Sequence, residues 1–365
     1  MEVETVVLIV GAGPAGLVTA ACLTRLSIPH VIVEREDCSA SLWRTRAYDR
    51  LKLHLAKEFC ELPHMSYTPD APTYIPKDQF VKYLDEYIEH FDIKPKYRTT
   101  IESCKYDEER KCWFGVASDM ATSTAEFRFL VVASGENSAE NIPVIPGLDS
   151  FPGEVIHSTR YKSEKTYSGK NVLVVGCGNS GMEIAYDLAS HGANSSIVVR
   201  SPLHVMTKEI MRFGMTLVKY MPLNMVDALL VMMSNFVFSD LSRHGIVRPK
   251  FGPLLIKSKT GRSAVIDVLG NISKIKGDIV EFEGTKNIKF DAIVFATGYR
   301  STTNIWLKNG DSLLNDDGLP KKRCPNHWKG ANGLYCAGLA QMGLAGIAMD
   351  AKNIANNIFS SMESR

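Results

Sequence analysis

The sequence has no Cys-x-x-Cys pair, no histidine cluster at metal-ligand spacing, no apolar run of membrane-spanning length and almost no net charge. Each absence closes a class of function. The eight cysteines, at 22, 38, 60, 104, 112, 177, 324 and 336, offer neither a redox dithiol nor a metal site, and most of them read as buried free thiols of a reducing compartment. Lys and Arg number 42 against 40 Asp and Glu, a balance of +2 that gives no electrostatic reason to expect nucleic acid or an anionic membrane. The most apolar stretch, "ALLVMMSNFVF" between Asp227 and Asp240, is shorter than the roughly 20 residues a spanning helix needs. It reads as a buried or half-buried helix, with an interfacial or substrate-channel helix as the other reading. The first apolar segment, Val6 to Val10, has no basic flank and runs straight into Gly11, so it reads as a strand rather than a signal peptide. A cytoplasmic protein without a transmembrane segment is expected, with peripheral association at a membrane surface as the alternative.

What the sequence does contain is one pattern twice. "TVVLIVGAGPAGLV" (5–18) and "NVLVVGCGNSGMEI" (171–184) each run from an apolar strand through Gly-x-Gly-x-x-Gly into an apolar helix. In the first, a strand from Thr5 to Val10 is followed by a helix over roughly Leu17 to Leu26 and a strand from His30 to Val33. That strand ends at Glu34, eighteen residues after Gly16, which is the spacing of a dinucleotide-binding unit. Gly11 permits the tight turn, Gly13 lets backbone N–H groups approach a pyrophosphate, and Gly16 lets the helix pack closely on the strand. Glu34 is placed to accept hydrogen bonds from a ribose diol.

The second unit repeats the order: strand Asn171 to Val175, glycines 176, 178 and 181, a helix to about Ser190, then a strand ending in Arg200 and Ser201. A carboxylate at the strand end repels a 2′-phosphate, whereas a guanidinium and a hydroxyl hold one through charge-assisted hydrogen bonds. The first loop therefore favours FAD or NAD and the second NADPH. Two unlike dinucleotide sites on one chain imply electron transfer between them, with a nicotinamide reducing a bound flavin as the simplest pairing. The candidate FAD set is Gly11, Ala12, Gly13, Pro14, Ala15, Gly16, Glu34, Arg35 and Trp43. The candidate NADPH set is Gly176, Cys177, Gly178, Asn179, Ser180, Gly181, Arg200 and Ser201. The other reading of Trp43 is a core residue, and of Arg200 an exposed strand-end charge.

The expected fold class is α/β, with two Rossmann-like domains and the second inserted into the first. "FRFLVVASGE" and "FDAIVFATGYR" are strands ending in small residues, where a backbone can come close to a neighbour or cofactor. They read as returns of the chain between the two units, which places an FAD domain at 1–165 plus 295–365 and an NADPH domain at 166–294. The C-terminal "GLYCAGLAQMGLAGIAMDAKNIANNI" completes the first domain as a strand, a glycine turn and an amphipathic helix. The N-terminus of that helix could face the flavin, although packing of small residues accounts for the segment equally well.

At this point the residues resemble a known family. "FPGEVIHSTRY" fits the identifying motif of class B flavin monooxygenases at Phe151, Gly153, His157 and Tyr161, and sits just ahead of the second glycine loop; "FATGY", with Thr297 and Gly298, accompanies it. "SLWRTRAYDRLKLHLAKEFCELPHM", "TYIPKDQFVKYLDEY", "ASGEN", "GRSAVIDV", "HWKG" and "GLYCAG" extend the likeness, over essentially the whole chain, to the plant YUCCA flavin monooxygenases. That resemblance implies oxidative decarboxylation of indole-3-pyruvate, a 2-oxo acid, to the auxin indole-3-acetate with FAD, NADPH and O2, through a flavin C4a-peroxide. It also implies a catalytic place for His54, where many relatives carry an Asn, and Lys57 is a second candidate beside it. For both, a packed or solvated side chain is the alternative.

Two departures from the family pattern stand out. Residues 265–290 are fewer than the pattern leads one to expect, as if a strand pair were shortened, and "AGLAQMGLAG" at 337–346 lacks the basic residues often found at that turn. The rival readings are S- or N-oxygenation of another small molecule by the same machinery and a divergent, weakly active nucleotide-binding member. A disulfide reductase shares the two-dinucleotide architecture, but the missing Cys-x-x-Cys argues strongly against it.

Overall fold

The computed structural model describes residues 6–118, 125–200, 204, 206–238, 248, 268–283 and 287–363. Ser201 and residues 261–267 of "GRSAVIDV" lie outside the described residues. The chain forms two compact units, one comprising 1–45, 57–139 and 299–365, the other 46–56 and 140–298.

The first unit is built on a four-stranded parallel sheet in the order Leu334–Cys336, Phe129–Val132, Val7–Val10, His30–Val33. The glycine-loop strand lies inside the sheet and is buried along its whole length, which explains its unbroken "VLIV". Helix Pro14–Arg25 follows, starting earlier than its apolar run implies because Pro14 occupies the first turn, where its missing N–H costs nothing. Every residue from Ala15 to Leu23 is buried. The long C-terminal helix Gly343–Glu363 lies beside it. A three-stranded antiparallel sheet, Ile101–Asp107, Cys112–Ala117 and Ala125–Phe127, and the helix Lys77–His90 complete the unit.

In the second unit a five-stranded parallel sheet has the order Val268–Leu269, Asn194–Val198, Asn171–Val175, Ala292–Phe295, Glu154–His157. Its glycine-loop strand, like that of the first unit, lies between the strand that follows the loop helix and the strand that ends in Ala-Thr-Gly or Ala-Ser-Gly. The helices Lys208–Leu217 and Leu223–Phe238 enclose a small apolar cluster of Ile210, Val226 and Leu230. The Met-rich stretch is thus a half-buried helix, and among the described residues no helix is long and apolar enough to cross a membrane. Within 265–290 the chain forms a three-stranded antiparallel sheet, Ile272–Lys276, Ile279–Phe282 and Asn287–Lys289.

The units divide at 139/140 and 298/299, not at the expected 165 and 295. The reason is strand pairing: Glu154–His157 runs in register with Ala292–Phe295, which carries residues 140–165 into the second unit. A second difference is the excursion 46–56, which belongs with the second unit although both its flanks belong to the first. Tyr48 causes it by packing, buried, among Tyr161, Val172, Ile184 and Leu188.

Candidate functional site

The two glycine loops have the same backbone. Gly11 and Gly176 have φ of 109° and 111°, in a region that L side chains rarely adopt. A Cβ at Gly11 would sit 2.4 Å from the Ala133 carbonyl oxygen, and one at Gly176 2.4 Å from that of Ala296. The small residues ending the neighbouring strands therefore accommodate the glycine turns. The third glycines are tighter still, with a Cβ at Gly16 falling 1.8 Å from the Gly11 oxygen and one at Gly181 2.0 Å from the Gly176 oxygen.

The second glycine of each loop behaves differently. Gly13 and Gly178 cap their helices with φ,ψ of −73°,178° and −74°,179°, extended values open to any residue, and a Cβ there would meet no protein atom within 4 Å. No side chain caps either helix. The first-turn N–H groups thus face a cradle from which side chains have been withheld, and a pyrophosphate fits it by charge and by space. Ala12 and Cys177 are buried in the core and give only backbone to their loops.

Glu34 does more than end a strand. Its Oε2 accepts the Ala12 N–H at 2.8 Å and its Oε1 the Glu36 N–H at 3.0 Å, so this buried carboxylate ties the first loop to the strand end. Each oxygen keeps a second lone pair, leaving room for ribose hydroxyls. Arg200, at the matching place in the second unit, is exposed. Arg35 is also exposed, donates to the Ser138 carbonyl at 3.4 Å and pairs with Glu36. Trp43 is half-buried and stacks edge-on against Phe80, with ring centroids 4.6 Å apart, which supports its reading as a packing residue.

The turn before the C-terminal helix is anchored from several sides. Gly338, with φ of 72°, lies against Ala15 of the first loop helix; a Cβ there would come within 2.9 Å of it. Its N–H donates to Asp350 Oδ2, and His327 Nε2 bonds Asp350 Oδ1 at 2.7 Å. Glu136, from "ASGEN", accepts the Gln341 N–H at 3.0 Å, and burial holds its carboxyl up at about 7. The segment is thus held by carboxylates of Asp350 and Glu136 as well as by the close approach of Gly338 to Ala15.

The four motif residues have separate structural tasks within the second unit. Phe151 enters the apolar cluster of Leu173, Ile293 and Phe295. Gly153 lets the strand start beside Asp291, whose oxygen would lie 2.3 Å from a Cβ. His157 is wholly buried and bonds the Gly298 carbonyl through Nε2 at 3.0 Å. A carbonyl only accepts, so the proton is on Nε2, and Nδ1 accepts the Thr159 N–H at 3.3 Å. Burial depresses the basicity of this imidazole. The Gly298 oxygen takes a second bond from the Asn141 N–H at 3.1 Å, and the Thr297 hydroxyl donates to the Asn141 carbonyl. Tyr161 donates to Asp187 Oδ2 at 2.8 Å, on the helix that opens at the second glycine loop.

The two catalytic candidates part company. Lys57 donates to the carbonyls of Thr68, Pro69 and Ala71 at 3.2, 3.0 and 2.6 Å, which uses all three ammonium protons. The geometry supports the reading of Lys57 as a clamp of that loop. His54 lies on the excursion, about a third exposed, with Nδ1 3.7 Å from Glu183 Oε1. Sequence reasoning missed Glu183 and Asp187. Their spacing of four on a predicted helix was the available signal, since it puts two acids on one face.

Comparison with known proteins agrees with this architecture. Residues 8–212 match the family model described as pyridine nucleotide-disulphide oxidoreductase. The chain is 50% identical over 372 residues to "Probable indole-3-pyruvate monooxygenase YUCCA10" of Arabidopsis thaliana, covering 97% of each chain. It is 44% identical to "Indole-3-pyruvate monooxygenase YUCCA6" of the same plant, covering 96% of this chain and 89% of that one. Among solved structures, the flavin-containing monooxygenase from Stenotrophomonas maltophilia superposes with a TM-score of 0.73 at 18% identity, over 98% of both chains. OTEMO, solved in complex with FAD and NADP, does so with 0.72 at 14% identity, over 100% of this chain and 86% of its own. These structures share the fold. On its identity with the curated relatives, the chain belongs to the YUCCA indole-3-pyruvate monooxygenase family.

Proposed function

We propose that this protein is an FAD- and NADPH-dependent monooxygenase that converts indole-3-pyruvate, with O2, to indole-3-acetate and CO2, and so makes auxin. The observation that carries the reading is the pair of glycine cradles with one backbone geometry and opposite charge at the strand end, Glu34 against Arg200. The first cradle would hold FAD, with loop amides on the pyrophosphate and Glu34 on the ribose. The second would hold NADPH, with the Arg200 guanidinium on the 2′-phosphate. Bound there, the two cofactors supply hydride transfer and oxygen activation, chemistry that no side chain provides.

The protein's own part is placement and protonation. Glu34 fixes the first loop before any ligand arrives, which lowers the ordering cost of binding. His157 and Asn141 fix Thr297 and Gly298 beside the second loop. His54 is the group we assign to hold or move a proton near the substrate, because an imidazole can donate from one ring nitrogen and accept at the other. Eight free cysteines, six of them buried, suit the reducing cytoplasm.

Product analysis with indole-3-pyruvate, NADPH and O2 tests the reading: indole-3-acetate should form in proportion to NADPH oxidised. A protein that retains FAD and oxygenates a thioether but leaves the keto acid untouched would move the assignment to S-oxygenation.

A further inference from the structure

Helix Asn179–Ser190, which opens at the second glycine loop, carries two acids one turn apart, and both reach the excursion 46–56. Asp187 is almost completely buried and takes Arg50 Nη1 at 2.7 Å and the Tyr161 hydroxyl at 2.8 Å. Such a buried, doubly bonded carboxylate is an anchor. Glu183, nearer the loop, is only partly buried. Its Oε2 accepts the Tyr48 hydroxyl at 2.6 Å, while its Oε1 lies 3.7 Å from both His54 Nδ1 and Lys208 Nζ.

We propose that Glu183 is a positioning residue for His54: its carboxylate, 3.7 Å from Nδ1, draws the imidazole toward this helix and favours its protonated form. The proposal rests on the reading of His54 as a group near the substrate. At 3.7 Å the contact is an ion pair rather than a hydrogen bond, so Glu183 acts on His54 through charge and stabilises the imidazolium over the neutral ring. The Tyr48 hydroxyl keeps Glu183 pointed at the excursion, because that oxygen is already committed and the other is left to the cations. Among the described residues, Glu183 from its helix and Lys208 from helix Lys208–Leu217 face this imidazole's neighbourhood and act in opposite directions, and Arg50 of the excursion interacts electrostatically with the same Glu183 carboxylate. Since Glu183 is two residues past Gly181, the arrangement joins the nucleotide loop's helix to the proton-bearing side chain by a single carboxylate.

The test is a histidine titration of the FAD-loaded protein labelled at the imidazole carbons, with the His54 signal identified by its loss in His54→Asn. Glu183→Gln should lower the His54 pKa by about half a unit, the size expected for a partly exposed pair. Lys208→Met, a surface change, should raise it. If neither variant moves the His54 pKa, the proposal is overturned, whatever the enzyme makes. The second readout is product formed per NADPH oxidised as a function of pH. Its midpoint should fall in Glu183→Gln in step with the His54 titration. A shifted titration with an unmoved coupling profile would also overturn the positioning role, and would show specifically that His54 stands apart from the reaction.

Discussion

His157 and Gly298, 141 residues apart in the chain, are joined by a bond from a wholly buried imidazole Nε2 to a carbonyl oxygen at 3.0 Å. Removing the donor, as in His157→Ala, strips one of two bonds from that oxygen and leaves a cavity, at a combined cost of about 2–4 kcal/mol. NADPH affinity should fall while bound FAD stays stoichiometric, measured by the Michaelis constant and by flavin absorbance. The pH sense is set by burial, which lowers the folded imidazole's basicity below the usual value near 6.5. Its contribution is complete above 6.5 and is lost as pH falls through the lower folded value. Hydrogen-exchange protection of 292–298 should therefore weaken on acidification in the wild type, and less so in His157→Gln.

Gly13 and Gly16 should fail in different ways when replaced by alanine. At Gly16 the methyl would overlap the Gly11 oxygen, so Gly16→Ala should destabilise the apoprotein itself by roughly 1–3 kcal/mol or more. At Gly13 nothing of the protein is in the way, so Gly13→Ala should melt like the wild type but bind FAD weakly. Thermal unfolding before and after FAD addition separates the two. Normal FAD retention by Gly13→Ala would remove the pyrophosphate from this loop.

Lys57→Met tests the clamp. Loss of three charge-assisted bonds from a partly exposed ammonium should cost about 1–3 kcal/mol and make 68–71 easier to cleave by protease, with kcat within about twofold of wild type. A kcat loss of a hundredfold with unchanged proteolysis would return Lys57 to the chemistry.

Arg200→Ala should raise the Michaelis constant for NADPH about tenfold and leave that for NADH nearly unchanged, since one charge-assisted contact is worth about 1–2 kcal/mol. Steady-state kinetics with both nucleotides decides it. Equal effects would assign Arg200 to the exposed strand end alone.

Glu136 gives a stability prediction with a defined window. Burial raises its carboxyl from 4.5 to about 7, so the folded state favours the neutral form, and the associated stability is present below 4.5 and lost as pH rises through about 7. Glu136→Gln removes this dependence and should melt higher than the wild type at pH 8, by an amount on the order of 1–2 kcal/mol that shrinks toward pH 5. Melting curves across that range suffice.

By itself the sequence determined the two glycine loops, their strands and helices, the charge contrast of Glu34 and Arg200, and through its motifs the family. These are local matters. The turn at Gly11 or Gly176, the capping at Gly13 or Gly178 and the strand-end acid at Glu34 depend on backbone conformation and hydrogen bonds within some twenty residues, so residue type and spacing report them directly. Only the tertiary structure decided that Glu154–His157 pairs in the second sheet, that 46–56 leaves the first unit for the second, and that Lys57 serves three carbonyls. Tyr48 meets Glu183 across 135 residues and Arg50 meets Asp187 across 137. No periodicity of the chain encodes such meetings, because they arise where buried apolar surface brings distant segments together and polar groups then find the partners that burial requires.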